Sequence, residues 1–147
     1  RTFIQPDQRL RDEGVRLKFT PLTEVIKGNR LIVVDDSIVR GTTTERVVSF
    51  LRSAGAKEIH LRVCAPPIKS PCHYGIDMPS RAELIASNRS IEETREILGV
   101  DSLGYLDMPG LYSAIGQKGP GFCDACFTGE YPVPVQLELD KFAFERI

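Results

Sequence analysis

Leu31, Ile32, Val33 and Val34 form a continuous apolar run that ends abruptly in Asp35 and Asp36. Such a run predicts a strand covered on both faces of an α/β sheet, with the acids at its carboxyl edge. Farther on, Val47, Val48, Leu51 and Ala54 repeat at helical spacing, so a helix is expected to begin at Thr42 to Thr44 and close near Ser53. Gly55 follows as a C-cap. Glu58 to Val63 alternates, with Ile59, Leu61 and Val63 on one face of a second strand. Strand, helix and strand in this order imply a right-handed crossover in a parallel sheet.

The pattern is weaker on either side. No period persists over Arg1 to Arg16, which predicts a loop or broken helix. Val15 to Phe19 alternates as a short strand, Thr20 and Pro21 stop and restart the chain, and Lys27-Gly28-Asn29 turns it toward Leu31. Downstream, the prolines between Ala65 and Cys72 exclude regular pairing. Ser80 is expected to cap a helix carrying Ala82, Leu84 and Ile85, broken at Asn88-Arg89. Ser90-Ile91-Glu92-Glu93 is a capping box opening a helix that Gly99 stops. Asp101 to Leu106 holds room for one more short strand, Met108 to Leu111 a turn, and Leu111 to Ile115 a helical turn or two. Gly116 to Gly121 is flexible by composition. Val135, Leu137 and Leu139 alternate in the tail. The expected division is residues 1–115 as the α/β portion and 116–147 as an irregular segment packing on the rest of a larger protein.

Composition narrows the class. The 147 residues are 41 % hydrophobic and 27 % charged, with a formal net charge of −1, which provides no field for nucleic acid or an anionic membrane. No apolar run reaches membrane-spanning length and nothing at the start reads as a signal peptide, so a cytoplasmic location is expected. The chain opens on Arg1 and reads as a piece of a longer protein. His60 and His73 are too few and too separate for a histidine metal site.

The chemistry concentrates in Asp35-Asp36-Ser37-Ile38-Val39-Arg40-Gly41-Thr42-Thr43. A helix starting at Thr42 aims free N–H groups and its positive end at an anion. Gly41 lets the backbone approach, Ser37, Thr42 and Thr43 donate hydroxyl hydrogen bonds, and Asp35 and Asp36 accept from a diol or hold Mg²⁺. No Gly-Lys-Ser/Thr follows the strand and no G-x-G-x-x-G is present, so neither common nucleotide loop applies. Among the four cysteines, Cys64 ends a strand and is expected to be a small buried filler. Cys123-x-x-Cys126 permits a redox pair, a disulfide or half a metal site, and Cys72 offers a third thiol from beside a proline-rich bend. A tetrahedral zinc or iron–sulfur site needs four ligands, and these are three.

The Asp35 to Thr43 string resembles the 5-phosphoribosyl pyrophosphate (PRPP) motif of type I phosphoribosyltransferases, in the version of the amidophosphoribosyltransferase family. The resemblance implies a type I phosphoribosyltransferase-like α/β fold: a mostly parallel sheet flanked by helices, with an irregular cysteine-bearing C-terminal segment. It implies that Asp35 and Asp36 address the ribose hydroxyls and Mg²⁺, and that Ser37, Arg40, Gly41, Thr42 and Thr43 form the 5′-phosphate loop. Arg1 to Ile4 resembles the end of a flexible catalytic loop, with Arg1 closing over the pyrophosphate, and Lys18 stands where basic residues support the site. Cys72, Cys123 and Cys126 resemble three ligands of a structural 4Fe–4S cluster found in one branch of the family, with the fourth cysteine upstream. The implied reaction transfers glutamine-derived ammonia to C1 of PRPP, giving 5-phosphoribosylamine and pyrophosphate, with the glutaminase half outside this chain. Feedback by purine nucleotides and a homo-oligomeric full-length protein are implied too. A base phosphoribosyltransferase and a non-catalytic PRPP-sensing domain share the string, and zinc is the alternative metal. Cys64 and the tail depart from the family pattern.

Overall fold

The computed structural model describes residues 21–76, 78, 80–116 and 121–133. The expectations for Arg1 to Ile4, Val15 to Phe19, Lys18 and Thr20, and for the tail beyond Val133, lie outside these residues.

A short helix, α1 (Thr23–Ile26), leads through the Lys27-Gly28-Asn29 turn into β1 (Arg30–Asp35). Helix α2 (Thr42–Ser53) then crosses to β2 (Glu58–Val63), α3 (Ile91–Leu98) precedes β3 (Ser102–Tyr105), and α4 (Met108–Ala114) and α5 (Ala125–Thr128) complete the described order. The three strands are parallel in the order β1-β2-β3. Their register places Asp35 beside Val63 and Val63 beside Tyr105, so the carboxyl ends form one edge.

The core follows from the alternation in β2. Ile59, Leu61 and Val63 are fully or nearly fully buried and pack with Val48 of α2, Leu98 of α3, and Ile38, Ile85 and Val100. Each such side chain contributes roughly 1.5–3 kcal/mol by leaving water. Helix α3 forms as its capping box dictates. Ser90 Oγ accepts from Glu93 N at 3.1 Å, Glu93 Oε2 accepts from Ser90 N at 2.7 Å, and Gly99 ends the helix at φ 68°. Asp101 then fastens helix to sheet: its Oδ2 accepts from Ile59 N and from Arg52 Nη2, each at 2.6 Å.

Four expectations are corrected. The face of β1 bearing Ile32 and Val34 is open, at 73 % and 66 % exposure, because the described helices pack on the Val33 side only. The helix expected after Ser80 is a single 3₁₀ turn, Arg81–Glu83, since Leu84 is already extended at ψ 119°. Its apolar residues serve the core from an irregular segment instead. The turn expected at Met108 is helix α4, whose first residues are held because Asp107 Oδ1 accepts from Gly110 N at 2.7 Å, while Pro109 occupies an early position where no N–H is needed. Cys64 is exposed, not buried, because Val63 is the last buried position of the β2 alternation and the next side chain falls on the opposite face. No helix among the described residues is long and apolar enough to cross a membrane.

Candidate functional site

The carboxyl edge of β1 opens into a cavity of about 300 Å³ lined by the unbroken run Asp35 to Thr44. Local hydrogen bonds shape its acidic side. Asp36 N donates to Asp35 Oδ1 at 3.0 Å, and Ser37 N donates to Asp36 Oδ1 at 2.6 Å. Each carboxylate therefore folds back on the next peptide and fixes the turn. From the neighbouring strand, Cys64 N donates to Asp35 O at 2.9 Å. Burial raises the Asp35 carboxyl above its ordinary range; the Asp36 N–H opposes this and the Asp36 charge adds to it. An acid in that setting gains from a cation or a donor arriving with the ligand.

The other side is the start of α2. Gly41 is the N-cap, left-handed at φ 84°, and no side chain caps the helix. Glu45 N donates to Gly41 O at 2.9 Å, while the N–H groups of Thr42, Thr43 and Thr44 have no acceptor among the described residues. A twelve-residue helix with an uncapped, hydroxyl-rich first turn is a ready anion site. Thr42 and Thr43 are exposed, whereas Thr44 is buried and anchors the turn with Ile38. Gly41 is also required by space. A Cβ there would lie 2.5 Å from Ile85 Cδ1 and 3.3 Å from Leu98 Cδ2.

The structure thus brings Asp35, Asp36, Ser37, Arg40, Gly41, Thr42 and Thr43 together around one cavity; Arg1 lies outside the described residues. Sequence reasoning missed what steadies the loop from afar. Arg40 Nε donates to Glu83 Oε2 at 2.8 Å, and Ile85 N donates to Val39 O at 2.9 Å. The Arg40 hydrogen bond holds the Glu83 carboxyl below its ordinary range. Contacts so distant in sequence leave no spacing signal; only the Arg40 charge hinted at a partner.

The cysteine segments also meet. Cys126 O accepts from Lys69 N at 2.9 Å and Ser70 N at 3.1 Å. Tyr131 Oη donates to Pro71 O at 2.7 Å, and Tyr74 Oη donates to Val133 O at 2.8 Å while accepting from Val133 N at 3.2 Å. Tyr112 of α4 donates to Asp124, ahead of α5. Burial raises the Cys126 thiol above its ordinary range, and the charges of Cys72 and Cys123 add to it. All are free thiols. Among the described residues no three His, Cys, Asp or Glu side chains are drawn together closely enough to hold a metal ion. Three soft donors in one neighbourhood match iron or zinc in chemistry and fall short in number.

A parallel α/β sheet with two acids and an uncapped glycine–threonine turn at its carboxyl edge defines a phosphoribosyltransferase domain. Residues 5–74 match the family model described as the phosphoribosyl transferase domain. The chain is 55 % identical over 138 residues to an amidophosphoribosyltransferase of Methanocaldococcus jannaschii, covering 94 % of this chain and 29 % of that protein. It is 50 % identical over 142 residues to the chloroplastic amidophosphoribosyltransferase 1 of Arabidopsis thaliana, covering 96 % and 25 %. The solved glutamine PRPP amidotransferase of B. subtilis, complexed with ADP and GMP, superposes with a TM-score of 0.75 at 52 % identity, covering 90 % of this chain and 30 % of that one. The chain belongs to the amidophosphoribosyltransferase family, within its phosphoribosyltransferase domain. It spans less than a third of the length of these relatives.

Proposed function

We propose that this chain is the PRPP-binding part of an enzyme that transfers glutamine-derived ammonia to C1 of PRPP, releasing pyrophosphate and forming 5-phosphoribosylamine. The observation that carries the reading is the pairing of the Asp35–Asp36 acids with the uncapped first turn of α2 across one cavity. One end of PRPP is a phosphate monoester and the next group along is a ribose diol, so the cavity matches the substrate end for end. The N–H groups and hydroxyls at Thr42 and Thr43, with the Ser37 hydroxyl, hold the 5′-phosphate; Asp35 and Asp36 accept from the ribose hydroxyls. The substrate is thereby oriented with C1 presented to the incoming nitrogen. The ammonia lone pair forms the C1–N bond with inversion as the C1–O bond breaks and pyrophosphate takes the electron pair. The ammonium group now bonded to C1 then loses a proton to solvent. Asp35 and Asp36 would hold Mg²⁺, which would supply neutralisation of the charge developing on the departing pyrophosphate. Arg1 and its neighbours close over the pyrophosphate from outside the described residues.

In the same reading Cys72, Cys123 and Cys126 supply three thiolates to a structural 4Fe–4S cluster, the fourth coming from upstream polypeptide. The tyrosine contacts that join 71–74 to 131–133 support a common role for the two segments. The cluster supplies a crosslink, not redox turnover. The wider unit is a homo-oligomer regulated by purine nucleotides. The solved B. subtilis relative was complexed with ADP and GMP, which supports that regulation. Residues 116–147 dock on the remainder of the protein.

The test is made on the full-length protein purified without oxygen. Iron and acid-labile sulfide are measured, and glutamine-dependent pyrophosphate release from PRPP is followed before and after exposure to air. Iron, sulfide and release together support the proposal, while absence of release in protein that retains its metal overturns the catalytic reading.

A further inference from the structure

A second cavity, of about 390 Å³, lies where three chain segments converge: 69–73, 81–87 and 128–131. Lys69, His73 and Arg81 line it, and among the described residues no Asp or Glu does. Lys69 and Arg81 form no ion pair or hydrogen bond through their side chains among the described residues. Of the wall hydroxyls, Ser87 Oγ donates to Leu84 O at 2.9 Å, Tyr131 Oη to Pro71 O at 2.7 Å and Thr128 Oγ1 to Asp124 O at 3.3 Å, and Ser70 adds a fourth. Among the described residues, the charged groups left to meet a ligand are the Lys69 ammonium and the Arg81 guanidinium fork.

These cations are not freely waving surface groups at their roots. Lys69 N donates to Cys126 O, and Arg81 opens the 3₁₀ turn whose Glu83 is tied to Arg40, with Ile85 just beyond it tied to Val39. The cavity wall thus carries two like charges on anchored backbone, and an anion between them would offset both. Space and charge together exceed what a buried water alone uses.

We propose that this cavity is a second phosphate-binding site, distinct from the cradle at β1, with Lys69 and Arg81 as its ligands to a phosphoryl group. Between Arg81 and Ser87, Glu83 and Ile85 contact Arg40 and Val39 of the β1 cradle. The occupant is inorganic phosphate or the phosphoryl end of a sugar phosphate, and the cavity is large enough for either.

The full-length protein is titrated calorimetrically at low salt with inorganic phosphate and, separately, with ribose 5-phosphate. Wild type, Lys69→Gln/Arg81→Gln and the charge-conserving Lys69→Arg/Arg81→Lys are compared. Tungstate soaked into wild-type crystals locates the oxyanion by anomalous scattering. The double glutamine variant is expected to bind one phosphate fewer per chain, or to bind it at least tenfold more weakly, with the charge-conserving pair within threefold of wild type. Tighter binding of ribose 5-phosphate identifies a sugar phosphate as the source, and equal binding identifies the phosphate alone; both support the site. Unchanged stoichiometry and affinity in the glutamine variant overturn it. So does a wild-type crystal with no tungstate between Lys69 and Arg81, a result that stands even if the variants fail to fold. Phosphate bound here but absent from the β1 cradle supports this site while removing the basis of the PRPP reading.

Discussion

Arg40 Nε and Glu83 Oε2 are 2.8 Å apart although 43 residues separate them in the chain. Arg40 belongs to the loop after β1, and Glu83 to the 3₁₀ turn before α3. The pair tethers the open side of the phosphate cradle, and Ile85 N, bonded to Val39 O, repeats the attachment one step along. The exposed loop after β1 is thus braced from a second segment of the chain.

Glu83→Gln should free Arg40 while leaving the fold intact. Both side chains are about half exposed, at 52 % and 50 %, so the pair contributes less than about 1 kcal/mol to stability. The expected result is a several-fold rise in KM for PRPP in the full-length enzyme, with kcat nearly unchanged and the difference shrinking at high salt. Steady-state kinetics at two ionic strengths measures it. A fall in kcat at constant KM would contradict a positioning role for Glu83.

That tether marks the boundary of what the sequence made legible. The strand ending in Asp35, the helix from Thr42, the β2 alternation and the Ser90 capping box are local patterns, and each became the expected element. Glu83 and Ile85 could not be paired with the loop, because their partners are set by tertiary packing and not by any period. The same cause misled the reading of Ala82, Leu84 and Ile85. Their spacing suits a helix, yet Leu84 and Ile85 bury themselves from an extended segment. At Met108 the error was one of turn chemistry: Pro109 and Gly110 suggested a break, but proline is welcome in a first helical turn and Asp107 caps it. Cys64 failed by one residue, since a strand ending at Val63 turns the next side chain outward.

Gly41→Ala should be costly on two counts. The residue sits at φ 84°, where a β-carbon is strained, and that carbon would meet Ile85 Cδ1 at 2.5 Å. Together these predict a loss of about 1–3 kcal/mol in unfolding free energy and a weaker PRPP site. Adding Ile85→Val removes the clashing methyl but not the backbone strain. The double variant is therefore expected to recover part of the stability relative to Gly41→Ala, as read by denaturant unfolding. No recovery would mean that the backbone conformation alone sets the cost.

Asp35 offers a pH test with a defined sign. Burial raises its carboxyl above the ordinary aspartate value of 3.8, so the native state holds that proton more tightly than the unfolded chain. Its contribution to stability consequently falls as pH rises from 3.8 through the raised native value, and the cost persists at neutral pH. Asp35→Asn removes the charge while its side-chain oxygen still accepts from Asp36 N. The variant should melt at or above the wild-type temperature at pH 7, while PRPP turnover falls by at least about a hundredfold. Differential scanning calorimetry across pH, paired with pyrophosphate release, separates the two effects. A variant that is both less stable and fully active would contradict the assignment.

The cysteines give the sharpest contrast, because one of the four serves as an internal control. Cys72, Cys123 and Cys126 share a neighbourhood in which the first and second raise the third thiol, and the Tyr131–Pro71 and Tyr74–Val133 bonds hold their segments together. Cys64 instead stands exposed at the end of β2, where its backbone N–H serves Asp35 O and its sulfur serves no described residue. Serine retains the size and backbone at each position but is a poor ligand for iron. In full-length protein made without oxygen, Cys64→Ser should keep wild-type iron and sulfide. Single serine variants of the other three should lose most of both and unfold at lower temperature, since a missing ligand removes the crosslink. Iron retained in all four variants would exclude these thiols as ligands. Iron lost only with Cys123 and Cys126 would reduce the site to the C-x-x-C pair and leave Cys72 as a packing residue beside Tyr74.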